Sequence, residues 1–181
     1  SDPPFPPGAS REAARRGTLL HSLLERLPMV DAAQREGLGA RWLARNAADL
    51  PEAERADLLR GALAVIAHPD WTELFGPGAL AEVPIAATVG TRVVAGTIDR
   101  LLVTPERILL VDFKTARRPP AAVDEVPVSI VRQMAAYVAA LEAAYPGRPV
   151  QAALLYTQVP MLLALPDALV AGHKQALLAA Q

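Results

Sequence analysis

One segment, ILLVDFKTA at residues 108–116, limits more than any other what this chain can fold into. It is apolar at every position before Asp112, as expected for a strand that is buried on both faces. Because side chains alternate along a strand, Asp112 and Lys114 share one face, while Val111 and Phe113 point to the other. The segment therefore predicts a central strand of a sheet that ends in two unlike charges.

Around this segment the chain changes from helical to strand periodicity, and the change falls in HPDWTELFGPG, residues 68–78. The elements expected before and after it follow from the spacing of apolar residues and from the turn residues. Helices are expected from a cap at Ser10 to Leu27, and over 32–48, 51–67, 128–145 and 166–180; strands are expected over 81–89, 91–103, 107–115, 149–158 and 160–165.

These elements predict a mixed α/β fold (α+β, with a mixed sheet), in which helices flank a central sheet that is mostly a β-meander. We expect one domain over 10–181, made of an N-terminal helical part, 10–75, and an α/β core, 78–181. Residues 1–9 contain four prolines, which is typical of a linker. The chain is therefore expected to be a piece of a longer protein.

Composition narrows the class of protein. The net charge is −1, with 18 basic and 19 acidic side chains, so there is no bulk attraction for nucleic acid or for an anionic membrane. Cysteine is absent, which excludes disulfides and thiolate metal sites. Neither a transmembrane run nor a signal sequence is evident, and we expect a cytoplasmic protein. No phosphate-binding glycine loop is found, so no nucleotide site is expected in this segment.

A second acid is expected opposite Asp112. If TPER, residues 104–107, is the turn between two strands, positions whose numbers sum to 211 face each other, and Asp99 faces Asp112. Two carboxylates about 5 Å apart repel by about 3 kcal/mol at an effective dielectric near 20. Lys114 or a divalent cation with oxygen ligands would relieve this. The plain alternative, a solvated salt-bridge cluster on a sheet face, stays open on these residues alone.

Four motifs, taken in order, resemble a known family. RGTLLHSLLE, GTIDR, LLVDFKTA and RQMAAY are similar to the histidine, acid, acid-x-lysine and Gln-x-x-x-Tyr motifs of the PD-(D/E)xK nuclease superfamily. The match is closer to its RecB-like branch, and within it to the C-terminal nuclease domains of AddA-type helicase-nuclease subunits. The resemblance implies a restriction-endonuclease-like core, and it extends from about Ser10 to the end of the chain.

The resemblance also implies roles for individual residues. Asp99 and Asp112 would hold Mg²⁺ or Mn²⁺, together with the backbone carbonyl of Phe113 and an imidazole nitrogen of His21. Lys114 would orient the attacking water and stabilise charge on the phosphate. On the next helix, Gln133 would lie near the metal or the phosphate, with Tyr137 as its hydrogen-bonding support; these two positions share a helix face.

Other candidates are weaker. Glu82, in the first strand, is equally compatible with a role near the metal and with a plain edge-strand acid, and Glu25 is a possible supporting group. Gly17 would allow close approach near His21. Residues with mainly plain structural or solvated interpretations are His68, His173, Arg117, Arg118 and Arg132.

The expected function is a Mg²⁺-dependent DNA nuclease, acting as an exonuclease, in bacterial double-strand break repair and recombination. The parent chain would also be an ATP-dependent helicase, with DNA and an AddB-type subunit as partners. One alternative is an inactive nuclease-like module that docks proteins or guides DNA. Another is a different phosphodiesterase, or a nuclease that acts on RNA.

Overall fold

The structure is a computed structural model that describes residues 7–179, and it divides into two compact units between Pro77 and Gly78. The expectation of one domain over 10–181 stays a prediction. Of the expected linker, residues 1–6 lie outside the described residues, as does residue 180 at the end of the last expected helix. Across residues 7–179, every helix is too short or too polar for a transmembrane span.

The first unit contains three helices, α1 (Pro7–Arg26), α2 (Ala32–Asn46) and α3 (Glu52–Ile66). The leucines expected to form the inner stripe of α1 are buried, and Leu23 and Leu24 are fully so. The expected cap at Ser10 is wrong, because α1 already begins at Pro7. Proline suits a first helical turn, since its φ is fixed near the helical value and its missing N–H has no partner to lose there.

A glycine allows α2 and α3 to pack closely. A Cβ added at Gly39 would lie 2.4 Å from Leu59 Cδ1 and 3.3 Å from Leu27 Cδ1. The backbone of α2 therefore contacts leucine side chains directly. α3 starts after Pro51 with two acids in its first turn, where they complement the positive end of the helix dipole.

The second unit contains five strands and two helices: β1 (Ala79–Val89), β2 (Arg92–Val103), β3 (Ile108–Lys114), α4 (Val128–Ala144), β4 (Val150–Tyr156), β5 (Met161–Ala164) and α5 (Asp167–Ala179). The strands form one sheet in the order β1-β2-β3-β4-β5. The first three strands are an antiparallel meander, β3 and β4 are parallel and joined through α4, and β5 pairs antiparallel with β4. The expected mixed α/β fold is confirmed.

The core of this unit lies between the sheet and α4, with Val170 of α5 packed against it. The sheet contributes Val94, Ile98, Leu101, Ile108, Leu110 and Leu154, and α4 contributes Val131, Met134, Ala135, Tyr137, Val138 and Leu141. All are apolar except for the hydroxyl of Tyr137. At about 25 cal/mol per Å² of apolar surface removed from water, this burial is the main favourable term in forming the sheet-helix layer.

The turn between β2 and β3 fixes their register. The Thr104 N–H donates to the Arg107 carbonyl at 2.9 Å, and the Arg107 N–H donates to the Thr104 hydroxyl at 3.1 Å. The ladder pairs Val103 with Ile108, and its numbers sum to 211 throughout. The register expected from Pro105 is therefore confirmed.

Gly96 of β2 supports the packing of α4 on the sheet. A Cβ at this position would lie 2.1 Å from the Tyr137 hydroxyl oxygen. Gly96→Ala is therefore expected to displace Tyr137 and to lower the free energy of unfolding by about 1–3 kcal/mol in urea denaturation. The matched control is Gly172→Ala in α5, where nothing lies within 4 Å of an added Cβ. The control should raise stability by up to about 1 kcal/mol through helix propensity. Equal stability of the two variants would contradict this packing.

Candidate functional site

Three carboxylates lie in one row across three neighbouring strands. Glu82 of β1 lies between two paired positions of the β1–β2 ladder, which places it opposite Asp99. Asp112 follows the last pair of the β2–β3 ladder, so it approaches Asp99 from the other side. A carboxylate oxygen of Glu82 lies within 4.8 Å of one of Asp99, and the carboxyl groups of Asp99 and Asp112 are close enough to interact. We call Glu82, Asp99 and Asp112 the carboxylate row.

The backbone opens where the row crosses β2 and β3. Regular pairing ends at Arg100 and Val111, and the Phe113 N–H donates instead to Asp99 Oδ2 at 2.7 Å. Asp99 is 9% exposed, so this bond holds a carboxylate that is largely removed from water. The Phe113 side chain is buried, as expected. Because the β2–β3 pairing ends here, the two acids have room to meet, and the Phe113 N–H still has a hydrogen-bond acceptor.

The alternation of side chains changes phase at the same row. Ile98 and Leu101 both belong to the core under α4, although a regular strand would turn them to opposite faces. In β3, Asp112 has the parity of Ile108 and Leu110, which belong to the same core, so Asp112 and the adjacent Asp99 lie on the α4 side. Opposite Asp99, Glu82 has φ 49°, in the left-handed region, and is skipped by the ladder. Such a local departure re-aims side chains, as β-bulges do next to active sites.

The left-handed backbone of Glu82 carries a cost. A non-glycine residue in this region costs about 1–3 kcal/mol and persists only where the surrounding structure requires it. Strain of this kind concentrates at functional sites. Its position directly opposite Asp99 favours a role for Glu82 in the row over that of a plain edge-strand acid.

Asp112 is the group whose ionisation the site opposes most clearly. Burial and, after it, the nearby Asp99 raise the pKa of Asp112 to about 6, while Lys114 acts in the opposite direction. Lys114 Nζ lies 2.6 Å from Asp112 Oδ2, with side-chain exposures of 25% and 16%. The salt bridge expected from their shared face is present. It offsets only part of the penalty for placing two acids together.

The end of β4 fixes the end of β3. The Thr157 N–H and hydroxyl both donate to the Lys114 carbonyl, at 3.0 and 3.3 Å. Tyr156 is buried and pairs with Lys114 in the parallel ladder. Burial and, after it, the charge of Asp112 raise the pKa of the Tyr156 phenol. Thr157 therefore positions the backbone of Lys114. Neither Thr157 nor Tyr156 was among the residues expected at the site.

The Gln133 and Tyr137 side chains meet on α4, as their spacing predicts. Gln133 Nε2 donates to the Tyr137 hydroxyl at 3.4 Å. Gln133 is exposed, whereas Tyr137 is buried against Gly96, three residues before Asp99. The buried phenol therefore holds one end of an exposed amide on the side of the sheet that carries Asp99. Their roles in binding stay predictions.

The residues expected from the first helix lie in the other unit. Gly17, His21 and Glu25 are spaced one turn apart on α1; His21 is half-buried and Glu25 is exposed. Their roles stay predictions. His68 has a structural contact: its Nδ1 accepts from the Asp70 N–H at 3.2 Å.

The three arginines among the remaining candidates of the second unit are exposed to solvent. Arg117 and Arg118 lie in an exposed loop after β3, and Arg132 is exposed on α4. His173 lies on α5 and is half-buried. None of these positions is placed in the carboxylate row, and their contact with any ligand stays a prediction.

The donors of the row fit a hard divalent cation. All three are carboxylates, and Mg²⁺, Mn²⁺ and Ca²⁺ prefer oxygen ligands. A dication would also remove the repulsion that raises the pKa of Asp112. The donor set contains no sulfur, since the sequence has no cysteine, which argues against soft-metal chemistry.

The sequence of almost the whole chain matches one protein family. The sequence model of the PD-(D/E)XK nuclease superfamily matches residues 3–175. The chain belongs to this superfamily. The mixed sheet flanked by helices agrees with the restriction-endonuclease-like fold of this superfamily.

Other comparisons add little to the assignment to the PD-(D/E)XK nucleases. A solved structure titled "Crystal structure of SSO0001" is similar over 89% of this chain and 76% of that chain, with 17% identity and a TM-score of 0.35. A likeness this weak supports no inference. No curated protein matches the sequence at a significant level.

Removing the charge of Asp112 should stabilise the fold at neutral and alkaline pH. Its folded pKa of about 6 lies above the ordinary 3.8, so between these values the folded state holds a proton that the unfolded state has released. Stability is therefore lost as pH rises through that window. In metal-free buffer at about pH 8, Asp112→Asn should be more stable by about 1–3 kcal/mol, and the gain should vanish below about pH 4.

The measurement is thermal or urea unfolding across this pH range. Asp124→Asn, which removes an exposed acid from the loop before α4, is the control and should change stability little at any pH. A stability gain for Asp112→Asn that does not depend on pH would contradict the assigned cause.

Backbone strain at Glu82 can be tested separately from its charge. Glu82→Gln removes the charge and keeps a side chain at φ 49°, whereas Glu82→Gly removes both. Glycine adopts this conformation without the steric penalty, so Glu82→Gly should be more stable than Glu82→Gln by about 1 kcal/mol in urea unfolding. A glycine variant less stable than the glutamine variant would show that the left-handed backbone carries no strain.

Proposed function

We propose that this chain is a metal-dependent deoxyribonuclease domain that hydrolyses phosphodiester bonds in DNA with Mg²⁺ or Mn²⁺. One observation carries the proposal: Asp99 and Asp112 meet on the sheet, and Lys114 lies against Asp112. This places two hard oxygen donors and one fixed cation within a single site. Phosphate hydrolysis requires both kinds of group.

The cation would be held by Asp99, Asp112 and the backbone carbonyl of Phe113, with Glu82 directly beside Asp99. His21 is proposed as a further ligand because RGTLLHSLLE resembles the histidine motif of RecB-like nucleases. When bound, the divalent ion supplies positive charge that polarises a phosphate and lowers the pKa of water. Glu25 is proposed only as a supporting group on the same helix.

Lys114 supplies the fixed positive charge. Its backbone is held by Thr157, and its ammonium is held by Asp112. A charge that is already oriented needs no reorganisation as negative charge collects on the phosphate, which is why such groups lower the barrier. Lys114 is therefore proposed to orient the attacking water and to stabilise the phosphate oxygens.

Gln133 and Tyr137 are proposed to act as a pair. The exposed amide of Gln133 can reach a phosphate or a water, and the buried Tyr137 hydroxyl fixes its orientation through their hydrogen bond. Tyr137 thus acts through Gln133. Loss of the tyrosine hydroxyl should weaken positioning without removing a ligand.

The wider context is also a proposal. The motifs resemble those of the RecB-like branch and of AddA-type subunits, which implies an exonuclease in bacterial double-strand break repair and recombination. The parent chain would carry an ATP-dependent helicase, and an AddB-type subunit in the cytoplasm would help deliver DNA. Support comes from the four ordered motifs and from the net charge of −1, which leaves the domain dependent on partners for DNA affinity.

An inactive docking or DNA-guiding module is the rival function. A module of that kind has no use for two largely buried acids, one of which has a pKa raised by burial and by the other acid, or for a left-handed Glu82 beside them. Natural proteins retain such costs mainly where chemistry needs them. Action on RNA uses the same groups and is separated from action on DNA only by substrate tests.

Asp112→Asn and Lys114→Met should each reduce Mg²⁺-dependent degradation of linear DNA by about 10²-fold or more. The assay compares single-stranded DNA, double-stranded DNA and RNA, with the variants placed in the full helicase-nuclease complex. Glu106→Gln, in the exposed turn before β3, is the matched control and should degrade DNA normally. Undiminished cleavage by Asp112→Asn would rule out the proposed function.

Metal binding can be followed in the chain alone. Mn²⁺ at about 100 times its Kd should stabilise the wild type by about 2.7 kcal/mol, and this shift should be absent in Asp99→Asn and Asp112→Asn. The control Glu106→Gln should retain the shift. An equal shift in all four proteins would place the metal elsewhere.

A further inference from the structure

A positively charged groove crosses the surface of the first unit, between the end of α1 and α2. Its volume is about 350 Å³, and its apolar floor includes Leu23 and Leu27. Arg26, Arg41 and Arg45 line its sides, with Trp42 between them. None of the nine described residues that line this groove is acidic. We call it the arginine-tryptophan groove.

The three arginines of the groove keep their charge available. All three are exposed, and within residues 7–179 none of them is ion-paired with a carboxylate. Other arginines of this unit are engaged by carboxylates, since Arg15 pairs with Asp49 and Arg60 pairs with Asp57. The groove is thus a local concentration of positive charge on a chain whose net charge is −1. Its ligand is expected to be anionic.

The ring of Trp42 indicates a second property of the expected ligand. The Arg26 guanidinium lies 5.5 Å from the centre of the Trp42 ring, and Trp42 is only half-buried. An arginine stacked on an accessible tryptophan offers flat surfaces to which an unpaired base can stack. Arg41 and Arg45 are four residues apart on α2, so they lie side by side along the groove. That arrangement suits a chain of successive phosphates.

We propose that the arginine-tryptophan groove binds single-stranded DNA, with Arg41 and Arg45 on the phosphates and a base against Trp42 and Arg26. The choice of DNA rests on the proposed function, in which DNA is the substrate. A single strand is favoured over a duplex because only an unpaired base can stack on a ring inside a groove of about 350 Å³. An acidic peptide would use the charges but would have no need of the exposed ring.

The test is equilibrium binding of the full chain to a fluorescein-labelled oligothymidine of about 12 nucleotides, in low salt with EDTA, so that no hydrolysis occurs. Arg41→Glu/Arg45→Glu should bind at least about tenfold more weakly, and the slope of log affinity against log salt should become shallower by about 1.4. Trp42→Leu should bind about fivefold more weakly with an unchanged slope, since it removes stacking and no charge. Arg60→Glu, a single charge reversal of the same kind outside the groove, should bind as the wild type.

Several results would contradict the proposal that the arginine-tryptophan groove binds single-stranded DNA. These are an absence of binding by the wild type, an equal loss in Arg60→Glu, and competition by polyglutamate as strong as that by oligothymidine. Arg41→Gln/Arg45→Gln provides a milder second variant, and circular dichroism checks that each variant is folded. Wild-type binding by both double variants would also reject the proposal.

The groove and the proposed function can fail independently. Asp112→Asn should bind oligothymidine as the wild type, because the carboxylate row is not part of the groove. If Asp112→Asn still cleaves DNA, the proposed function fails while binding in the groove stands. If both groove double variants bind normally and Asp112→Asn does not cleave DNA, binding in the groove is rejected and the proposed function stands.

Discussion

The contact between the carboxyl groups of Asp99 and Asp112 is the interaction on which the site depends. Two acids of like charge at neighbouring strand positions destabilise a sheet, and here they are also largely removed from water. The surrounding structure compensates locally. The Phe113 N–H binds Asp99, the Lys114 ammonium binds Asp112, and Thr157 holds the Lys114 backbone in place. Each compensation acts on one acid, and none removes the repulsion between the two acids, which is what a shared dication would do.

The cost of this arrangement is carried by the rest of the second unit. A raised pKa at Asp112 and a left-handed backbone at Glu82 are both unfavourable, whereas the layer between the sheet and α4 is apolar and closely packed. Gly96 shows how close that packing is, since the Tyr137 hydroxyl occupies the space of its missing Cβ. The same contact fixes the residue to which Gln133 is bonded. Stability and site geometry therefore depend on the same helix-sheet contact, and a change at Gly96 would affect both.

Local sequence signals were enough for the elements and for the central acid pair. Apolar spacing located the helices and strands to within a few residues, and the turn at Pro105 set the register that brings Asp99 to Asp112. Thr157 and Tyr156 were missed because their place beside Lys114 depends on the parallel pairing of β3 with β4, which is formed across the intervening helix α4. The signal available in the sequence was the pair of polar residues, Tyr156 and Thr157, that follows the apolar run of β4. Glu82 was among the candidates, but its left-handed backbone was not predicted, because that conformation depends on the strand opposite and propensity alone gives no reason for it.

The distribution of charge explains why such a domain would need more than its active site to hold DNA. Without a cation, a row of three carboxylates repels phosphate, and the single ammonium of Lys114 is already engaged by Asp112. The attraction for a strand must therefore come from a bound metal or from positive charge elsewhere in the protein. With a net charge of −1 that positive charge has to be concentrated locally, and unpaired arginines beside an accessible tryptophan are one such concentration. Affinity gained in this way falls steeply with salt, because it depends on the release of counterions from the phosphates. In the two proposals, weak, salt-sensitive capture of a strand and metal-dependent attack on it thus depend on different residues.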